Sequence, residues 1–462
     1  MQSQVSGTAS SGGWYGFSSC LFPSVDWLVT DVGRGESATQ KVAHLGNSVY
    51  LAGYTTGNHS VRSSVSSEMI TRVDDDSHFD MHITEVSTAG VPTRVWAFTG
   101  TDRTKDFWSD VHKFADGTHL AAGGRFGGNL TVPGVGTLVN SGSDPMAFVV
   151  KLNTASGNVA WMRSFDAPRG TTIGGVDGDA AGNMILTYGT CVVGTTPEMS
   201  FGRPTGRLAS ACTYNVAKLA AADGSTIWST ALPSEATVGT VRVAADGSVY
   251  TAGRVSGSAT FGTQLLTVSG ASGLVIKLDA SGAFVGAHAL ASSIGDMDLS
   301  SDGSMLAVMG SLSGGSFVAT IDPSNGQVLW QVSTPYLRGV EITDDNQYVV
   351  VYGQVTGSSV SYTVTDTLGH STTLRSYGSY DLFVMKMAAS DGDGVWAING
   401  GGDGSALKSG SNAPSVDSPP ICRQTRAFES RADSGVLLGH GDGRLGRHLH
   451  LGLLALEHVH LW

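Results

Sequence analysis

Apolar and polar residues alternate in short runs along this chain, and the period is two. In Phe-Val-Val-Lys-Leu (148–152), Phe148, Val150 and Leu152 fall on one side and Val149 and Lys151 on the other, which marks an extended strand and excludes a helix. The runs are bounded by Ala-Asp-Gly, Ala-Ser-Gly and Pro-Ser-Asn-Gly, sequences that supply the positive φ of a tight hairpin turn. The pattern predicts many short antiparallel strands.

The strands recur in a fixed order. One line appears six times: GNSVYLAGYTTG (46–57), DGTHLAAGGRFGG (116–128), AGNMILTYGTCVVG (181–194), DGSVYTAGRVSG (246–257), DGSMLAVMGSLSG (302–314) and DNQYVVVYGQVTG (345–357). Its marker glycines are Gly53, Gly123, Gly189, Gly253, Gly310 and Gly353. A second line follows each copy and carries Trp96, Trp161, Trp228, Trp330 and Trp396; the fourth unit has Gly286 in place of the Trp. The five tryptophans are expected to occupy equivalent, largely buried places between blades. Marker spacings of 70, 66, 64, 57 and 43 residues vary too much for a solenoid of identical coils, yet the order never changes. Each unit reads as four strands, and four antiparallel strands repeated radially give an all-β propeller of six to seven blades. The organisation expected is an N-terminal extension (1–24), a propeller (25–400), and a linker with a diverged or disordered tail (401–462).

These lines resemble the surface β-propeller repeat proteins called SBBP repeats, with SATFGTQLLTVSGASGLVIKLDASGAF (258–284) as the nearest stretch and 37–400 as the span covered. Lines such as DPSNGQVLW are similar to the tryptophan-docking repeats of quinoproteins. The resemblance implies a surface-exposed propeller with no shared enzymatic activity.

Trp27 precedes Gly53 by 26 residues, close to the 27 between Trp96 and Gly123, so 27–32 reads as a fourth strand that closes the ring without a blade of its own. After Gly400 the marker lines stop. Residues 401–462 fit a diverged blade, an appended tail or an altered reading frame.

Composition narrows the function. Charged residues are only 14% of the 462, Gly numbers 63, and the net charge is −12 with no basic block, which disfavours nucleic acid and anionic membranes as partners. No apolar run is long enough to span a bilayer, and the N-terminus shows no secretion signal. Cys191 and Cys212 flank the long loop of unit three, at the end of its second strand and the start of its third, and are a disulfide candidate; two separate buried thiols are the alternative. Asn58 and Asn129 head glycosylation triplets. With the disulfide candidate they point to an extracellular or cell-surface location, against the missing signal.

Candidate chemistry is thin. Asp177 with Asp179, and Asp391 with Asp393, could hold Ca²⁺, but the remaining ligands of a calcium loop are missing and tight turns explain them better. His448, His450, His458 and His460 alternate without acid or thiol partners, so no metal is assigned. GDGRLG (441–446) matches a dinucleotide motif outside any βαβ context and is set aside. Lys151, Lys218, Lys277 and Lys386 occupy one repeat position in four blades and are expected to cap strand surfaces, not to share a site. No catalytic residue and no cofactor is assigned. The favoured function is a non-catalytic scaffold binding a protein or glycan through the face with long second-to-third-strand loops. The alternative is a carbohydrate-active or quinoprotein-like enzyme with acids at the central channel. Acids gathered in that channel would favour the enzyme, and a Gly, Ala and Thr lining the scaffold.

Overall fold

The computed structural model describes residues 29–400, apart from 34–36, 57–58, 64–68, 73–78, 102–105, 133, 143, 167–169, 192–198, 201–202, 205–211, 313–314, 357–360, 366–370 and 376–379. Trp27, Asn58, Cys20, Cys422, the motif at 441–446 and the four tail histidines lie outside the described residues.

Among the described residues the molecule is an all-β propeller with six blades. The strands of each blade are lettered A to D from the axis outward. Blade 1 has Ser37–Leu45, Ser48–Thr56, Phe79–Ser87 and Pro92–Gly100. Blade 2 has Phe107–Lys113, His119–Phe126, Met146–Asn153 and Asn158–Phe165. Blade 3 has Thr171–Gly178, Met184–Cys191, Cys212–Leu219 and Thr226–Ala231. Blade 4 has Ala236–Val243, Val249–Phe261, Gln264–Leu278 and Phe284–Leu290. Blade 5 has Ile294–Leu299, Leu306–Leu312, Gly315–Ile321 and Val328–Thr334. Blade 6 has Tyr336–Ile342, Tyr348–Thr356, Tyr380–Ala388 and Gly394–Gly400. Among the described residues no helix is long and apolar enough to cross a membrane.

The core lies between blades. Successive A strands stand side by side from blade 1 to blade 6, and one apolar cluster fills each of the five intervening gaps. Tryptophans help to join the blades: Trp161 Nε1 donates to Ala221 O of the next blade (3.0 Å), Trp228 to Ala280 O (3.1 Å) and Trp330 to Ala389 O (2.8 Å). Close approach requires a glycine on the receiving turn. At Gly224, φ is +71° and a Cβ would come within 2.8 Å of the Trp161 ring.

The expectation that all five tryptophans occupy equivalent, largely buried places needs correction. Trp96, Trp161 and Trp330 are buried, whereas Trp228 and Trp396 are only partly so. Trp96 is also displaced along strand D. Arg94 stands where blades 2, 3, 5 and 6 have Trp and donates to Thr154 O (2.7 Å), and Trp96, two residues on, donates to Gly157 O (2.8 Å). In blade 2 the order is reversed, with Trp161 first and Arg163 donating to Gly224 O (2.7 Å). Two residues are one strand period, so Arg and Trp exchange places on the same face. In blade 4, where Gly286 replaces Trp, the ring of His288 covers Gly326 of the next blade.

The strand expected to close the ring is described at Val29–Gly33, where it pairs antiparallel with His59–Ser63, a strand inserted in blade 1 that also pairs with Met69–Arg72. A partner so near in sequence closes only a short loop.

Candidate functional site

The innermost strands build the polar centre. Each A strand carries a bulge: between Thr39 and Lys41, Trp108 and Asp110, Ile173 and Val176, Val238 and Thr240, Ile294 and Asp296, and Leu337 and Gly339. Beyond it, alternate side chains point to the axis, where Asp110, His112, Asp177, Arg242, Asp296 and Asp298 meet.

Their geometry is a set of stitches between blades. The Val176 N–H donates to Asp110 Oδ2 (3.0 Å), the Val243 N–H to Asp177 Oδ2 (2.7 Å), the Val340 N–H to Asp296 Oδ2 (3.4 Å) and the Ile342 N–H to Asp298 Oδ2 (2.8 Å). In every case the carboxylate of one blade accepts from the inner backbone of the next. Arg242, buried, lies at the middle, with Nε 2.8 Å from Asp298 Oδ1 and Nη1 3.9 Å from Asp110 Oδ2. His112 Nε2 is 3.4 Å from Asp177 Oδ1.

Burial sets the protonation of these groups. It raises the Asp177 carboxyl to about 7 despite Arg242 and the N–H donors of Gly178 and Val243. It also raises Asp296, against Lys41 and Arg242. His112 is pushed well below its ordinary value by burial, then by Arg242 and Lys113. Tyr352 is 39% exposed, yet desolvation of its hydroxyl, then the carboxylates of Asp296, Glu341 and Asp110, raise its pKa.

Of these residues only Asp177 stands out in the sequence, where its neighbourhood reads as a turn. The turn belongs to Asp179, whose Oδ1 accepts from the N–H groups of Ala181 (2.9 Å) and Asn183 (2.8 Å); Asp177 faces the channel. A usable signal was present: in DVHK, VDG, VRV, DMDL and VEI a charged residue sits between apolar ones in a strand otherwise built for burial.

Other candidates separate as the repeat implies. Asp391 accepts from the Asp393 N–H (3.0 Å) within a turn, and among the described residues no group of three or more His, Cys, Asp or Glu is arranged to hold a metal ion. Lys151 donates to Gly182 O (2.7 Å), Lys218 pairs with Asp179 (2.7 Å), and Lys277 and Lys386 lie over the rings of Tyr250 and Tyr348. They share no site. Cys191 and Cys212 are register partners in adjacent strands, and their sulfurs are bonded. Asn129 begins the strand Asn129–Val132.

The two faces of the ring differ. On one, aspartates close the turns: the Ser248 N–H donates to Asp246, the Ser300 hydroxyl to Asp302 and the Ser324 hydroxyl to Asp322, and these bonds hold the three carboxyls below the usual range. A groove of about 540 Å³ opens there between blades 4 and 5, lined by these acids with Tyr250 and Lys277. On the other face the B–C loops carry extra hairpins. Asn129–Val132 with Gly136–Val139 adds to strand D of blade 1 through Leu130 and Thr131, so this insertion pads the rim. Blade 4 instead extends strands B and C to 13 and 15 residues, and Leu265 near its tip is 66% exposed.

A pH dependence of stability arises from these shifts. The lowered turn aspartates stabilise the fold above the unfolded carboxylate pKa of about 4 and lose that contribution as pH falls. Asp177 works in the opposite sense: raised to about 7, its contribution is complete below about 4 and is lost as pH rises through 7. Asp177→Asn keeps an acceptor for Val243 and is expected to flatten the alkaline decline. Melting temperatures of both proteins from pH 4 to 8 check this, and a constant difference between them would refute it.

Sequence comparison finds no matching family and no matching curated protein. By structure, the chain is similar to the Dos1 propeller (11% identity, TM-score 0.39, 80% of this chain and 85% of that one). It is also similar to the Myceliophteria thermophila Cps50 (Swd1) β-propeller domain (10% identity, TM-score 0.41, 80% and 88% covered). A third similar structure is the C-terminal WD40 domain of Sif2 (10% identity, TM-score 0.33, 70% and 93% covered).

Proposed function

We propose that this chain is a non-catalytic propeller scaffold that binds a protein or glycan through the face bearing its B–C hairpins, in the manner of a surface repeat protein of SBBP type. The carrying observation is the use of the channel carboxylates. Acids do gather at the axis, which favours an enzyme at first sight, but four of them accept backbone N–H groups of the next blade. A carboxylate engaged in this way holds the ring together and is poorly placed for general acid–base work. Exposed apolar side chains, Leu265 and Val139, lie instead on the hairpins.

The enzyme reading retains one supporting observation, the His112–Asp177 contact with both groups shifted toward their neutral forms. Arrayed glycans and a panel of purified surface proteins, probed with the wild type, Leu265→Asp/Val139→Asp and Asp110→Asn, separate the two. Binding lost only in the hairpin variant supports the scaffold. Turnover of a bound glycan that Asp110→Asn abolishes overturns it.

An extracellular or cell-surface location is part of the same proposal, supported by the Cys191–Cys212 pair. Non-reducing peptide mapping of the protein from its native source is expected to recover that cross-link, and free thiols at both positions would argue against the location.

A further inference from the structure

The long hairpin of blade 4 folds back on its own blade. Its strands, Val249–Phe261 and Gln264–Leu278, stay in register as far as Ser256 and Ala271; the next pair is Ser258 with Thr267, so Gly257 alone stands opposite Val268, Ser269 and Gly270. The mismatch bends the ribbon. Gly257 takes the bend at a φ of +76°, with open space where a Cβ would sit. Beyond it the ribbon has two unlike sides. Ala259 and Phe261 are buried in the cluster between blades 3 and 4, with Leu266 and Val268 packed against it, while Ser258 and Thr267 are exposed, their hydroxyls 3.0 Å apart. The Phe261 ring meets that of Phe284, the first residue of strand D, edge to face at 5.7 Å between centres.

This brings Gln264, at the tip, to the outer edge of strand D. The Ala287 N–H donates to Gln264 Oε1 (2.8 Å), and Gln264 Nε2 donates to Ala287 O (2.8 Å). Ala287 stands opposite Ile276 of strand C as a pair that exchanges no backbone bonds, so its N–H and C=O point away from the sheet, where a fifth strand would add. A carboxamide offers a donor and an acceptor side by side, as a peptide does. We infer that the folded-back tip is a guard: Gln264 takes the place of a fifth strand on blade 4 and keeps this edge from pairing with a second copy of the chain. Strand D has little else to prevent it. Phe284–Leu290 contains no Lys, Arg, Asp, Glu or Pro, the residues that commonly blunt an exposed edge, and beyond a bulge at Val285 it runs in unbroken register with strand C to Leu290. Val285 itself is 59% exposed. Two identical edges of this kind can pair antiparallel about a two-fold axis. Blade 1 shows that a D edge of this propeller accepts a further strand, since Asn129–Val132 adds to it through Leu130 and Thr131.

Gln264→Ser in the full-length chain tests the guard. The position is exposed, and serine is polar but too short to reach Ala287, so both bonds are lost without adding apolar surface. In dilute solution, exchange of the Ala287 amide is expected to accelerate about tenfold or more. The mass measured by sedimentation is expected to rise with protein concentration, over a range in which the wild type keeps its mass. Adding Val285→Lys, which places a charge on the same edge, is expected to restore the wild-type behaviour. Ala287 exchange unchanged from wild type overturns the proposal, because the carboxamide then does not hold the edge. A mass equal to wild type at every concentration, despite faster exchange, overturns it as well. So does association that persists undiminished in Gln264→Ser/Val285→Lys, which would place the contact on another surface.

Discussion

Arg242→Met is expected to cost on the order of 3 to 5 kcal/mol of stability, the range found when one partner of a buried ion pair is removed. The guanidinium is buried and sits against Asp298 and Asp110, with Asp177 and Asp296 close enough to act on its charge. Removing it leaves carboxylates facing one another with no central cation, while their bonds to the N–H groups of the next blade remain. The loss is electrostatic and belongs to the network, so Arg242→Met/Asp298→Asn should recover a substantial part of it. Denaturant midpoints of the wild type and the two variants check both statements. A single variant as stable as wild type would show that the axis is solvated enough to do without the cation.

Trp161→Ala is expected to cost a similar ~3 to 5 kcal/mol, for a different reason. Its indole is buried in the cluster between blades 2 and 3, donates to Ala221 O, and rests on Gly224, so truncation opens a cavity at an interface whose backbone is fixed by both blades. Trp228→Ala serves as the comparison. That ring makes the same kind of bond to Ala280 O but is only partly buried, and its loss should be clearly smaller. Equal losses at the two sites would place the energy in the hydrogen bond; an unchanged Trp161→Ala would remove the tryptophan from the account of how blades adhere.

Strand type, strand order and turn positions were legible because each is set by neighbours a few residues away. Alternation decides a strand, Asp-Gly and Ser-Asn-Gly decide a turn, and the six-fold recurrence then leaves little choice but a radial arrangement. Cys191 and Cys212 became a candidate pair for the same local reason, since both sit at the ends of strands joined by one loop. The lysines likewise kept the separate, capping places that the repeat implied. Position along a strand was less secure: the exchange of Arg94 and Trp96 relative to Trp161 and Arg163 preserves the two-residue period, so alternation cannot detect it.

The polar centre was decided by tertiary structure. Asp110, Asp177, Arg242 and Asp298 lie in four different blades, and no spacing relates them until four A strands are set around one axis with their bulges in place. The hairpin at Asn129–Val139 presents the same problem, because its outer partner, strand D of blade 1, belongs to another repeat. The sequence by itself determined what each unit is, through contacts whose loop-closure cost is small. Which charge meets which, and which edge an inserted hairpin covers, depended on contacts between units, which form only after the ring has brought distant segments together.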